Sequence, residues 1–298
     1  MPLLAVFRDA DGIAGLIGSV YLGLRLPRGS RIPRPRREPI ILDVRLPAHS
    51  NGPTWHFRPD LSPQHREEMI SQFEGAVKKE LGWGLAAVVY RMVTDEAAPL
   101  VTRPGALVRD SPGSSSMPIS WSGVDGWLAT LSKNRRKTLR RQMRWVEEAA
   151  DLAVVTGRGR TDLDPAELAA MNSLHTARLA SALDPRADLP PAYFERLLGR
   201  EDVIFISYHD TTSSRLLAYT VIFDHPDTPI SATWAALRPE EGGRQDLYFD
   251  CHTRIVRTVT GNGAKTLLGG RGRLDIKRSL GFDMVPMKVV AVPRWKLR

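Results

Sequence analysis

Two kinds of apolar spacing alternate along this chain. Short runs rich in β-branched and aromatic residues at Leu3–Phe7, Ile17–Leu26, Pro39–Leu46 and Trp83–Met92 read as strands, the first two flanking the turn residues Asp9-Ala10-Asp11-Gly12. Between them Ser62 and Pro63 stand at the head of a segment through Leu81, a cap and first-turn proline that predict a helix. Further on, Leu139, Met143 and Val146 recur at helical spacing, and Asp164-Pro165-Ala166-Glu167 opens another helix with cap, proline and acid in order. Strands are expected at Leu152–Thr156, Val203–Tyr208, Leu216–Phe223, Ile230–Leu237, Lys265–Leu268 and Met284–Val292. Helices are expected at Leu189–Leu198 and Gln245–Thr260, the second closed by Gly261 and Gly263. Thr102–Trp121 is rich in Gly, Pro and Ser and follows neither spacing. It is the expected boundary between an N-terminal half over 1–115 and a C-terminal half over 116–298.

Charge changes this picture at one place. The 298 residues carry a formal net charge of +9, and seven cations fall between Lys133 and Arg144 with no acid among them. Lys133, Arg136, Lys137, Arg140, Arg141 and Arg144 are the candidate contacts of a helix over 133–150 that docks its apolar side and offers a phosphate backbone the other. Like charges four apart repel by about 0.2–0.5 kcal/mol per pair, and no acid relieves them before Glu147. A solvated face is the alternative. Pro27–Pro39, also basic, is broken by prolines and reads as an exposed loop. The single cysteine, Cys251, excludes an internal disulfide and a thiolate zinc site, and no metal is expected. Arg8, Asp9 and Asp11 interrupt the apolar start, and no stretch reaches about 18 uncharged apolar residues. A cytoplasmic protein without a membrane span is the expectation.

Three stretches resemble one family. Trp127-Leu128-Ala129-Thr130-Leu131-Ser132-Lys133-Asn134-Arg135-Arg136-Lys137 resembles the opening of an arginine-rich helix in FemABX-type, "peptidoglycan biosynthesis" members of the GNAT superfamily. Leu247-Tyr248-Phe249-Asp250 with Gly263-Ala264-Lys265 resembles that branch's aromatic-led helix and its glycine stop, and Gly269-Gly270 through Lys277 to Gly281 its closing motif. Together they cover roughly 121–292. The resemblance implies an α/β (α+β), GNAT-like fold: a mixed, mostly antiparallel sheet flanked by helices. The first 115 residues are then either a degenerate second GNAT-like half or a simple extension.

The resemblance also implies an acyltransferase that forms an amide, with acyl-CoA or aminoacyl-tRNA as donor. The family's pyrophosphate turn corresponds here to Arg238-Pro239-Glu240-Glu241-Gly242-Gly243-Arg244. Gly242, Gly243 and Arg244 suit a phosphate if the glycines bare their N–H groups, but the spacing departs from the pattern and two glutamates stand beside it. With the basic helix, this favours aminoacyl-tRNA as cosubstrate over CoA, with no other cofactor. The partners implied are tRNA and a small-molecule amine, in a specialised (natural product) biosynthetic pathway. An acyl-CoA-dependent transferase and a non-catalytic RNA-binding module are the rivals.

An activated ester needs an oriented amine, a proton acceptor and oxyanion stabilisation, and no covalent intermediate. Ser231–Leu237 and Lys265–Gly269 are the two candidate lips of the acyl site. Trp234 walls the acyl pocket or packs in the core. Tyr248 and His252, four apart, share one helix face and either take or relay the amine proton or simply pack. Arg271, Arg273 and above all Lys277 are candidate anchors for an anionic group. Asp250 is favoured by the helix dipole alone, while Cys251 and His175 read more simply as packed residues.

Overall fold

The computed structural model describes residues 2–23, 39–45, 52–178 and 188–298. The expected basic loop up to residue 38, and residues 24–26 and 46 of two expected strands, lie outside the described residues. The chain forms two compact units, Met1–Ser114 with Val285–Arg298, and Ser115–Met284.

In the first unit β1 (Pro2–Asp9) and β2 (Gly12–Gly23) form the expected hairpin. β2 also pairs β3 (Ile40–Val44) and the short β4 (Trp55–Phe57). Helix α1 (Pro63–Leu81) starts as its sequence dictates, with Ser62 Oγ accepting the His65 N–H and Pro63 in the first turn. It buries Ile70, Phe73 and Val77 in a core shared with Leu42, Val88 and Tyr90. β5 (Leu85–Val93) lies parallel to β3, and a short helix α2 (Ala98–Val101) follows it. Glu74, on the buried face of α1, accepts from Tyr90 Oη (2.7 Å), both Arg103 Nη atoms (2.7 Å each) and the Arg298 N–H (3.0 Å).

β6 (Leu107–Pro118) leads into the second unit. Its Gly-, Pro- and Ser-rich residues, which the sequence marks only as a boundary, form a strand because their partners lie elsewhere in the chain: Ser116–Pro118 pair with Leu268–Thr266. Then come α3 (Gly123–Thr130), α4 (Lys133–Glu148), β7 (Leu152–Gly157), α5 (Pro165–Ala177) and α6 (Pro191–Leu198). β8 (Val203–Asp210), β9 (Leu216–Phe223), β10 (Ile230–Ala236), α7 (Leu247–Gly261), β11 (Thr266–Leu268) and α8 (Leu274–Ser279) complete the unit. Its strand order is β6-β11-β10-β9-β8-β7, antiparallel except at β10/β11. α3 and α8 are too short for their apolar period to stand out in the sequence. The last strand, β12 (Asp283–Pro293), pairs antiparallel with β5, and residues 285–298 therefore pack with the first unit rather than with the C-terminal half.

Candidate active site

The chemistry-bearing residues of the second unit converge where its sheet opens. β10 pairs with β9 along its length, with a bulge between Ser231 and Thr233. On its other side it meets β11 in register at one pair only, Ile230 with Leu268. A bulge sharpens the local twist of a strand, and beyond that pair the two strands part. Leu237 donates its N–H to Leu217 O (2.9 Å). By the alternation of an antiparallel ladder, the N–H groups of Trp234 and Ala236 then face the open side. The Ala236 carbonyl on that side accepts from Arg178 Nη1 (3.2 Å).

Gly269 forms the opposite lip. Its N–H donates to Ser115 O (2.7 Å), and a Cβ there would lie 2.5 Å from the Phe282 ring and 2.6 Å from Ser115 Oγ. No larger residue fits. An aromatic row spans the gap between the lips: Trp234 to Tyr248 at 5.5 Å, Tyr248 to His252 at 4.5 Å and His252 to Phe282 at 6.0 Å between ring centroids. Tyr208 backs Trp234 at 6.3 Å, and its hydroxyl donates to Asp250 (2.9 Å), which also takes Arg254 Nε (2.5 Å). Asp250 is thus a buried structural acceptor.

His252 is 4% exposed. Its Nδ1 donates to Tyr248 O (2.9 Å), which leaves Nε2 as a buried acceptor with no hydrogen-bond partner among the described residues. Burial, helped by the nearby Lys277 charge, pulls its pKa down to about 4. It is therefore neutral at pH 7, not titrating there as the sequence suggests. Burial pushes the Tyr248 phenol well up and keeps it protonated. Lys277 is 6% exposed, and its Nζ donates to the Gly269 carbonyl. Desolvation alone brings its pKa down to about 8. It is a buried cation at the lip rather than an exposed phosphate anchor. Arg273, exposed and in the left-handed region (φ 51°), lies over the Tyr248 ring at 5.6 Å, and Arg271 is half-buried. Cys251 is buried, its thiol pushed far up by desolvation, so it is no nucleophile.

The turn proposed for a diphosphate does not bare its backbone. Gly242 donates to Pro239 O (3.0 Å) and Gly243 to Arg238 O (2.8 Å), while Glu241 accepts the Arg238 N–H (2.7 Å). Arg244 is ion-paired to Asp151 and sits 6.0 Å from the Trp145 ring. The two glycines spend their N–H groups inside the turn, and Arg244 is held by its acidic partner.

α4 packs on α7, the helix that carries Tyr248 and His252. Ser132 Oγ caps it (3.3 Å to the Arg135 N–H), and Leu139, Gln142 and Val146 are its buried stripe, with Met143 half-buried. Gln142 is where the periodicity misleads. Lys133, Lys137, Arg140, Arg141 and Arg144 are exposed, whereas Arg136 is half-buried and donates to Ala129 O (3.3 Å). Sequence reasoning missed Tyr208, Phe282 and Arg178, for which no local spacing gives a cue.

Residues 133–278 match the model of the acetyltransferase (GNAT) domain. No curated protein matches the chain. Among solved structures it is similar to the C-terminal domain of a putative lysylphosphatidylglycerol synthetase from Agrobacterium fabrum (10% identity over 97% of this chain and 84% of that one, TM-score 0.62). It is also similar to FemX (9%, covering 99% and 89%, TM-score 0.58) and to a tandem GNAT protein from the clavulanic acid biosynthesis pathway (12%, 98% and 83%, TM-score 0.54). Identities this low speak for the fold alone. The chain has the mixed, mostly antiparallel GNAT-like fold that its motifs imply, with the match to the GNAT acetyltransferase model confined to residues 133–278.

Proposed function

We propose that this protein is an N-acyltransferase that moves an aminoacyl group from aminoacyl-tRNA to the amine of a small-molecule acceptor. The observation that carries this reading is the row of five exposed cations on α4, a helix packed directly on the helix of Tyr248 and His252. Such a row neutralises phosphates without reading sequence. The self-closed turn at Pro239–Gly243 supports it by offering a diphosphate no free glycine N–H.

The amine attacks the ester carbonyl directly. Its nitrogen forms the new C–N bond, the C–O bond to the tRNA ribose breaks, the nitrogen loses a proton and the leaving oxygen gains one. The N–H groups of Trp234 and Ala236 receive the carbonyl oxygen as it gains charge. Lys277, a cation at neutral pH whose pKa of about 8 suits proton exchange, stabilises that charge, gives its own proton to the leaving oxygen and takes back the one the nitrogen sheds. The Trp234–Tyr248 pair walls the acyl group and excludes water.

Binding to bulk tRNA, and separately to CoA and acetyl-CoA, at two salt concentrations tests the reading. Salt-sensitive tRNA binding without CoA binding is the expected result. Replacing Arg140, Arg141 and Arg144 with Ala should flatten the salt dependence by about one unit of slope per lost phosphate contact. CoA binding without tRNA binding would overturn the reading and make acyl-CoA the donor.

A further inference from the structure

The first unit presents two tryptophans to solvent from adjoining turns. Trp83 is 91% exposed in the Gly82–Gly84 turn and Trp295 76% exposed in the Arg294–Lys296 turn. Arg294 ties the turns together, with Nε donating to Gly82 O (3.0 Å) and the guanidinium 4.2 Å over the Trp83 ring. Lys78 Nζ adds a bond to Leu297 O (3.3 Å). Within 78–84 and 294–298 the cations Lys78, Lys79, Arg294, Lys296 and Arg298 face one acid, Glu80. Arg298 is paired with Glu67, while Lys79 and Lys296 are exposed. Single exposed apolar residues are ordinary on a protein surface. Two exposed indoles on turns tied together by Arg294, in segments rich in cations, are not.

We propose that this surface docks the protein on an anionic phospholipid bilayer, with both indoles at the headgroup level and Lys79, Arg294 and Lys296 against lipid phosphates. An indole has an apolar body and one N–H, which suits that boundary better than either water or hydrocarbon. Each cation near an anionic leaflet strengthens association about fivefold. Single-stranded nucleic acid is the other polyanion that uses aromatic rings, but it threads grooves and stacks on open ring faces. A ring 91% exposed lies in no groove, and Arg294 already covers one face of Trp83. No helix among the described residues is long and apolar enough to cross a membrane, so the contact is peripheral.

The test is co-sedimentation of the full chain with vesicles of phosphatidylcholine alone and of phosphatidylcholine mixed with phosphatidylglycerol, alongside tryptophan fluorescence. Binding to the mixed vesicles with a blue-shifted emission is expected. Trp83→Ala/Trp295→Ala should weaken binding about tenfold or more and abolish the shift, and Lys79→Glu/Lys296→Glu should remove the preference for the anionic lipid. All four side chains are exposed, and an unchanged thermal melt shows that the variants fold. Equal sedimentation of the double tryptophan variant and the unaltered chain would overturn the proposal. So would a loss of tRNA affinity in that variant with vesicle binding intact.

Discussion

Each unit buries a cluster of charged and hydrogen-bonding side chains, and the clusters differ in what they leave open. In the first, the fully buried carboxylate of Glu74 takes four donors, from Tyr90, both Arg103 nitrogens and the Arg298 backbone. In the second, among the described residues, Lys277 buries an ammonium against a single carbonyl, and His252 Nε2 is an acceptor with nothing donating to it. A carboxylate paired so fully holds a fold together. An open cluster, which costs stability until something completes it, is what a ligand site looks like from inside.

Breaking each cluster should therefore act in opposite directions. Glu74→Gln leaves Arg103 without its counter-charge, and urea unfolding of the first unit should register a loss of about 3–5 kcal/mol. Lys277→Met removes a buried cation that has no carboxylate partner among the described residues, so the second unit should keep or slightly gain stability. Its single-turnover acyl transfer should nonetheless fall about a hundredfold or more. A Lys277→Met variant that unfolds as readily as Glu74→Gln would erase the contrast.

The pH dependence of stability sharpens the comparison. Lys277 holds its proton less tightly folded, with a pKa of about 8, than at its ordinary value of 10.5. Between those values the unfolded chain binds more protons, so stability rises with pH across that window, and the burial cost is fully present below it. The slope is up to about 1.4 kcal/mol per pH unit, and Lys277→Met should remove it. His252, at about 4 against an ordinary 6.5, makes stability fall as the pH drops through that lower window, and His252→Phe should flatten it. The smallest effect belongs to Tyr208→Phe. It removes one hydrogen bond to Asp250 while Arg254 keeps the carboxylate paired, for about 1 kcal/mol of stability and less than a tenfold change in transfer.

Residues whose structure depends on near neighbours were legible in the sequence. Ser62 and Asp164 cap α1 and α5 as their spacing indicates, and the cations of α4 lie on a helix docked by Leu139 and Val146. Trp234, Tyr248 and His252, singled out by strand alternation and helical spacing, stand in one aromatic row, with Lys277 close to His252. What stayed hidden depends on distant partners. β6 does not read as a strand because Gly, Pro and Ser follow no apolar alternation, and β12 joins the first unit through a partner about two hundred residues away, a distance at which local spacing carries no information. Phe282 closes the aromatic row only because Gly269 admits its ring, a fit invisible before both are placed.

The single point at which β10 meets β11 also gives the site an internal clock. Thr233 and Ala235 turn their amides into the ladder with β9, while Trp234 and Ala236, between and beyond them, turn theirs to the gap. Amide hydrogen exchange along this one strand should alternate, slow at odd positions and fast at even ones, in the free protein. When an acyl donor fills the gap, the fast pair slows and the slow pair does not change. Four consecutive residues then carry both the reporter of occupancy and its own reference.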